Sequence, residues 1–374
     1  MLVQRGILGL SSLLLAVVAS GQELPVGGGE GQVRRIRLLV EGAHTVAWAP
    51  KGDWIAFDKP DQAGYSHLYI ARPDGSSERC LSCEAIGFRK RHAGNPAWHP
   101  SGRYLLFQLE KPLRIGGRPV PFLTVPGRNL GDDVWAITFD GRQFWNLTNR
   151  AERGGRVLSP RFSHEGDRVV WSERVASGGA TWGRWVLRVA RIETHHGVPR
   201  LRDIHSYKPG PQRFFYESYG FTSDERGILF AANLDPGQSE GGLDLYVLRL
   251  ESGELSRLTS SAGELDRFAR FSPDGRKIVW ASSQDILDRR TVFERRDRSA
   301  AAPLDLWMMN ADGSGRERLT RFNDVFSDHY TGKVMVGTAS WSREGDRLIV
   351  PVTSVDDSGD SALYLLELDQ AYGR

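Results

Sequence analysis

Cysteine, lysine, methionine and long apolar runs are all scarce in this chain, and each shortage removes a class of protein. Two cysteines in 374 residues exclude a disulfide-stapled scaffold and any metal site made of several thiolates. Only seven of the 49 basic residues are lysines, and 46 acidic residues leave a net charge of +3, too small for a broad field aimed at nucleic acid. No window sustains apolar spacing at three and four residues, and 42 glycines with 18 prolines would interrupt helices. The longest apolar stretch, Gly6 to Val18, is too short for an ordinary membrane span. Met1 to Arg5 before it and Ala19-Ser20-Gly21 after it give it the form of a secretory signal peptide over 1–21. A flexible leader over 22–32, with Gly27-Gly28-Gly29, would follow.

What the chain has in abundance is one ten-residue phrase: an aromatic, a tight polar turn, then a short apolar strand. It runs from Trp48 to Phe57, Trp98 to Phe107, Phe162 to Trp171, Phe221 to Phe230, Phe271 to Trp280 and Trp341 to Val350. Six copies of one β-hairpin at this recurrence mark a repeat architecture. Each phrase is followed by an apolar strand bearing Tyr69, Trp135, Leu187, Tyr246, Trp307 or Tyr364. Twelve residues on comes Leu81, Leu147, Leu258 or Leu319, and in the third unit Leu201 after fourteen. The sixth unit ends without such a strand, while Arg37-Leu38-Leu39 before the first phrase resembles Arg318-Leu319-Thr320. The pattern predicts an all-β, six-bladed β-propeller over 33–370, with four-stranded antiparallel blades and the last blade closed by the N-terminal strand.

Phe271-Ser-Pro-Asp-Gly-Arg-Lys-Ile-Val-Trp280, Asp305-Leu-Trp-Met-Met-Asn-Ala-Asp-Gly-Ser314 and Arg318-Leu-Thr320 resemble the WD40-like PD40 repeat of TolB-like propellers. The resemblance covers nearly the whole mature chain. It departs from TolB in leaving too few residues before the first strand for that protein's separate α/β domain, and from prolyl-oligopeptidase relatives in that no peptidase domain follows the last blade. It implies a periplasmic or secreted protein that binds an envelope or extracellular protein, peptide or polymer. Nucleic acid is not expected as a partner, nor a stable membrane span after signal cleavage, nor a cofactor, and the protein is expected to be a monomer.

Ligand-binding candidates follow from topology. Turns within the phrases, and the Asp-Gly turns such as Pro73-Asp74-Gly75, are minimal, so all length variation falls on the opposite face. Insertions at 111–132 and 282–304 lie in opposed blades there. His44, Glu217 and Arg267 stand four residues before their phrases, at the entry to the innermost strands. Asp328, His329 and Tyr330 lie in the longest inter-blade link, Arg89, Lys90, Arg91 and His92 in the first, and Arg128 in an insertion. Converging on one mouth, such groups would grip an anionic or polyhydroxylated ligand. They support a non-catalytic binding module. The alternative, implied by a resemblance to those PD40-like propellers that are metal-dependent polyuronate lyases, is a metal-dependent lyase or hydrolase acting on an acidic polysaccharide with a His/Tyr/Arg site, although no metal-ligand spacing here matches theirs. His99, His164, His195 and His196 fall on the short-turn face. Cys80 and Cys83 suit a disulfide in an exported protein; a redox pair would lack its helix, and a metal site with His92 would lack a fourth ligand. Asp356-Asp357-Ser358-Gly359-Asp360 reads as an acidic turn rather than a calcium loop. Asn146-Leu147-Thr148 reads as outer-strand text rather than a glycosylation acceptor.

Overall fold

The computed structural model describes residues 23–24, 32–85, 87–88, 90–111, 114–115, 118–119, 132–149, 156–176, 183–210, 215–235, 238, 242–260, 263–286, 302–356 and 359–373. Every regular element among them is a β-strand. Blade one is Thr45–Trp48, Ile55–Pro60, Ser66–Ala71 and Arg79–Cys80, and blade two Ala93–Trp98, Tyr104–Glu110, Asp132–Thr138 and Phe144–Asn146. Blade three is Arg156–Phe162, Arg168–Ala176, Arg184–His195 and Val198–Tyr207, and blade four Tyr216–Phe221, Gly227–Ala232, Asp244–Arg249 and Leu255–Arg257. Blade five is Asp266–Phe271, Lys277–Ser282, Asp305–Asn310 and Glu317–Arg318. In blade six the inner strand is split into Val334–Val336 and Ser340–Trp341, followed by Arg347–Ser354 and Ser361–Leu368. Val33–Glu41 then pairs beside Ser361–Leu368, with Ile36 opposite Leu366 and Leu38 opposite Tyr364, and Glu23–Leu24 adds outside it. The six sheets form a propeller ring closed by the N-terminal strand, and the Trp48 N–H donates to Ser340 Oγ across the junction of blades one and six.

The core lies between neighbouring sheets, because each blade has two covered faces. Phe57, Phe107, Trp171, Phe230 and Trp280, the apolar ends of five phrases, are all buried. Phrase turns close locally. In blades four and five, Thr222 and Ser272 donate to Asp224 and Asp274, whose carboxylates accept the Arg226 and Arg276 N–H groups. The Asp-Gly turns use glycine for a second reason: a Cβ on Gly313, which has φ 90°, would sit 2.8 Å from the Leu258 carbonyl oxygen of the preceding blade.

The Arg-Leu-Thr text also has a structural cause. Asp305, fully buried, accepts hydrogen bonds from Thr320 Oγ1 at 2.8 Å, the Phe322 N–H at 2.9 Å and Arg318 Nη2 at 2.8 Å. Asp244 is held likewise by Arg257 and Thr259, and Asp133 by Asn146 and Thr148, so Asn146-Leu147-Thr148 is outer-strand text. Blade one places His67, Cys80 and Ser82 at the corresponding three positions, and there Cys80 is disulfide-bonded to Cys83. A covalent link thus stands where blades four and five carry an ion pair.

Blade three differs from the repeat. Leu187 pairs with Tyr207, while Leu201 pairs with Ile192, so Leu201 is not the counterpart of Leu258. Its outer hairpin runs past the sheet and closes through His196 and Gly197, both with positive φ, the two-residue turn that matches strand twist.

Candidate functional site

The innermost strands lining the axis are irregular at one shared place. Register shifts interrupt blades two, three, four and five between Gly94 and Ala97, Leu158 and Arg161, Ser218 and Gly220, and Arg267 and Arg270. Asn95, Ser159 and Phe268 there have φ between 51° and 60°. A bulge frees backbone donors and re-aims side chains. Several of those donors are taken by the residue after a phrase in a neighbouring blade. Gln108 Oε1 accepts the Ser159 N–H at 3.0 Å and Ser172 Oγ the Ser218 N–H at 2.8 Å, while the Asn95 N–H serves Thr45 Oγ1 and the Asp58 carboxylate. Alanine occupies the same place in blades four and five, Ala231 and Ala281.

Glu217 and Arg267 meet across blades four and five, with Arg267 Nε 2.9 Å and Nη2 2.8 Å from Glu217 Oε2 and the Tyr219 hydroxyl on the same oxygen. Burial alone would lower the Arg267 pKa, but Glu217 and Tyr219 outweigh it and the net shift is upward. Burial, together with Glu217 alongside, holds the Tyr219 phenol well above its usual range. His44 Nδ1 lies 3.8 Å from Asp58 Oδ2, and burial raises the Asp58 pKa against the opposing pull of His44, Thr45 and Asn95. His92 is buried in blade two: its Nδ1 accepts the Ser66 N–H at 3.2 Å, its ring leans on Tyr65, and its own N–H donates to Glu110. Burial pushes Glu110 up to about 7; Asp132 adds to the rise, while the His92 N–H and Arg91 oppose it.

The structure therefore brings Glu217 and Arg267 together and sets His44 and His92 in separate polar groups. Asp328, His329 and Tyr330 sit in the link after Thr320, where the His329 and Tyr330 N–H groups bond to Ser327 within the link itself. Arg89 and Arg128 lie outside the described residues. The link is pinned at its base by buried Phe322 and by Asn323, which donates to the Leu304 carbonyl and Asp305 and accepts the Val334 N–H. Its tip is stiffened by bonds from Phe326 N–H to Asp324, Ser327 N–H to the Asp324 carbonyl, His329 N–H to Ser327 Oγ and Tyr330 N–H to the Ser327 carbonyl. Held on that frame, Phe326 is 88% exposed, Val325 59% and Tyr330 45%. Sequence reasoning singled out Tyr330 but passed over Val325 and Phe326, for which an apolar pair in a polar link was the available signal. Asp58, Glu110 and Arg161 were also passed over. So was Gly237-Gln238-Ser239-Glu240-Gly241, the spacing of a nucleophile elbow. Only Gln238 of it is among the described residues, in the stretch between the second and third strands of blade four.

Among the described residues, two grooves of about 540 and 520 Å³ lie on the short-turn side between blades three and four, sharing Arg168, Leu250 and Glu251. Among the described residues no group of three or more His, Cys, Asp or Glu residues is placed to hold a metal, and no helix is long and apolar enough to cross a membrane.

No protein-family model and no curated protein matches the chain. Among solved structures, TolB from Agrobacterium tumefaciens is similar with a TM-score of 0.50 at 16% identity, over 80% of this chain and 82% of that one. The fold is that of a TolB-like six-bladed propeller. TolB from Acinetobacter baumannii gives 0.46 at 16% identity over 88% of this chain, and the match spans 64% of that protein's length, just under two thirds. An oligogalacturonate lyase in complex with manganese gives 0.46 at 13% identity, over 94% of this chain and 99% of that one. At these identities the likeness of the TolB-like propeller to its neighbours concerns architecture.

Proposed function

We propose that this TolB-like propeller is an exported, non-catalytic module that binds a protein or peptide through its long-loop face. The observation that carries the reading is the inter-blade link after Thr320, where Val325, Phe326 and Tyr330 face solvent on a hydrogen-bonded frame. Exposed apolar groups clustered on one loop are a feature of contact surfaces, and aromatic anchors carry much of the energy at such surfaces. A frame already ordered before contact loses less conformational entropy on binding. The polar groups that would serve acid–base chemistry are engaged elsewhere: Glu217 with Arg267 and Tyr219, His92 with Ser66. A disulfide between Cys80 and Cys83 is consistent with an oxidising compartment.

The test is photo-crosslinking in exporting cells from a reactive residue at position 326, with position 255 as the control. Leu255 is 39% exposed on the outer strand of blade four, well away from the link. A discrete adduct from 326 that is absent from 255 supports the reading. Equal adducts from both positions, or none from 326, refute it.

A further inference from the structure

One position in the repeat separates what the propeller needs from what it does not. The residue just before each phrase is Ala47, Ala97, Arg161, Gly220, Arg270 and Ser340 around the ring. Four blades fill it with a small residue, so the architecture itself has no use for a guanidinium there. Blades three and five nevertheless carry one. Each reaches back to the bulge of the preceding blade, Arg161 Nη2 to Asn95 Oδ1 at 2.9 Å and Arg270 Nη1 to the Tyr219 carbonyl oxygen.

Arg161 is only 7% exposed. Its Nη1 donates to the Pro160 carbonyl at 2.8 Å, and its Nε, also buried, has no hydrogen-bond partner. A guanidinium offers five N–H donors, and among the described residues no carboxylate forms an ion pair with this one. The nearby opposite charge, Glu217 of blade four, is committed to Arg267 and to the Tyr219 hydroxyl. Arg161, Arg267 and Glu217 set two positive charges against one negative, and Arg161 is the one left without a counter-charge. Isolated buried charge is costly in a folded protein, and burial pulls the Arg161 pKa down to about 10. Planar forked donors match oxyanions, which supply both the opposite charge and the missing acceptors.

We infer that Arg161, on the innermost strand of blade three, holds a small oxyanion, a phosphate or a carboxylate, on its remaining guanidinium protons. This site is independent of the docking link, which lies after blade five on the long-loop face, and either can fail without the other.

Calorimetric titration of the full chain with inorganic phosphate, and separately with succinate, at constant ionic strength in chloride tests the inference. One saturable site per chain is expected for at least one probe. Arg161→Gln should weaken it about tenfold or more and Arg161→Lys, which keeps the charge but not the fork, by a smaller factor. Saturation by phosphate alone selects a tetrahedral ligand and by succinate alone a carboxylate. Thermal melts give a second readout. Without added oxyanion Arg161→Gln should melt at or above the wild-type temperature, since it removes an uncompensated charge, and it should lose any rise that the bound probe produces. Absence of saturable binding by either probe overturns the inference. So does unchanged binding in Arg161→Lys, the variant to rely on should Arg161→Gln not fold. A wild-type melt indifferent to both probes, with Arg161→Gln melting lower, would make Arg161 a structural donor to Pro160 and Asn95 only.

Discussion

At the scale of single residues, the buried acids fall into two kinds that should respond oppositely to mutation. Asp305 is surrounded by Arg318, Thr320, Phe322 and Asn323, so removing it strands a buried guanidinium and several donors. Asp305→Ala should destabilise by about 3–5 kcal/mol, read as a shift in urea midpoint at unchanged slope. Glu110 is the reverse case. Its pKa rises from 4.5 to about 7 on folding, so between those values the folded state binds a proton that the unfolded state has released, and stability falls as pH rises through that window. Glu110→Gln removes this penalty. It should be more stable than wild type by roughly 2 kcal/mol at pH 8 and close to wild type at pH 4, and a gain of equal size at both pH values would rule out the ionisation account. The disulfide is the mildest of the three. It closes a loop of only a few residues, so Cys80→Ser with Cys83→Ser should cost about 2 kcal/mol, less than Asp305→Ala.

Among the elements, the link between blades five and six and the outer hairpin of blade three are where repeat and structure part company. Asn323 is the pin of the link, bonded to Leu304, Asp305 and Val334. Asn323→Ala should raise hydrogen exchange over 324–333 while leaving 305–310 protected, and should reduce crosslinking from position 326; unchanged exchange would show that Phe322 alone holds the loop. The sequence made the link visible by its length, because a repeat has a normal interval and this one exceeds it. It did not make the link's internal frame visible, since Asp324 and Ser327 act through short side-chain-to-backbone bonds that leave no period. The hairpin misled for a related reason. Leu201 lies near the expected interval, but strand register is set by the turn, and the turn at His196-Gly197 places Leu201 opposite Ile192 instead.

Taken whole, the ring was legible in the chain because blade packing imposes its own vocabulary: aromatics at sheet interfaces, glycine where turns press on a neighbour, and Asp with Thr at the outer strand. The axis was much less so, because what gathers there depends on bulges and on neighbours 50 to 66 residues distant in sequence, as when Arg267 reaches Glu217 or Arg161 reaches Asn95. The closing strand belongs to the legible part, and it carries the prediction proper to this scale. Val33–Glu41 buries Ile36, Leu38 and Leu39 against the last blade, and Gln32 bonds to Glu317 and Tyr372 near the junction of blades five and six. A ring shortened by that strand exposes Leu363, Leu365 and Leu366 along a free sheet edge on which Glu367 is the only charge. A chain retaining the export signal but lacking 32–41 should therefore lose cooperative unfolding and aggregate, and adding residues 32–41 as a separate peptide should restore part of the native melt. A truncated chain that melts like the full one, with no gain from the peptide, would mean that closure comes from contacts between neighbouring blades and not from the shared sheet.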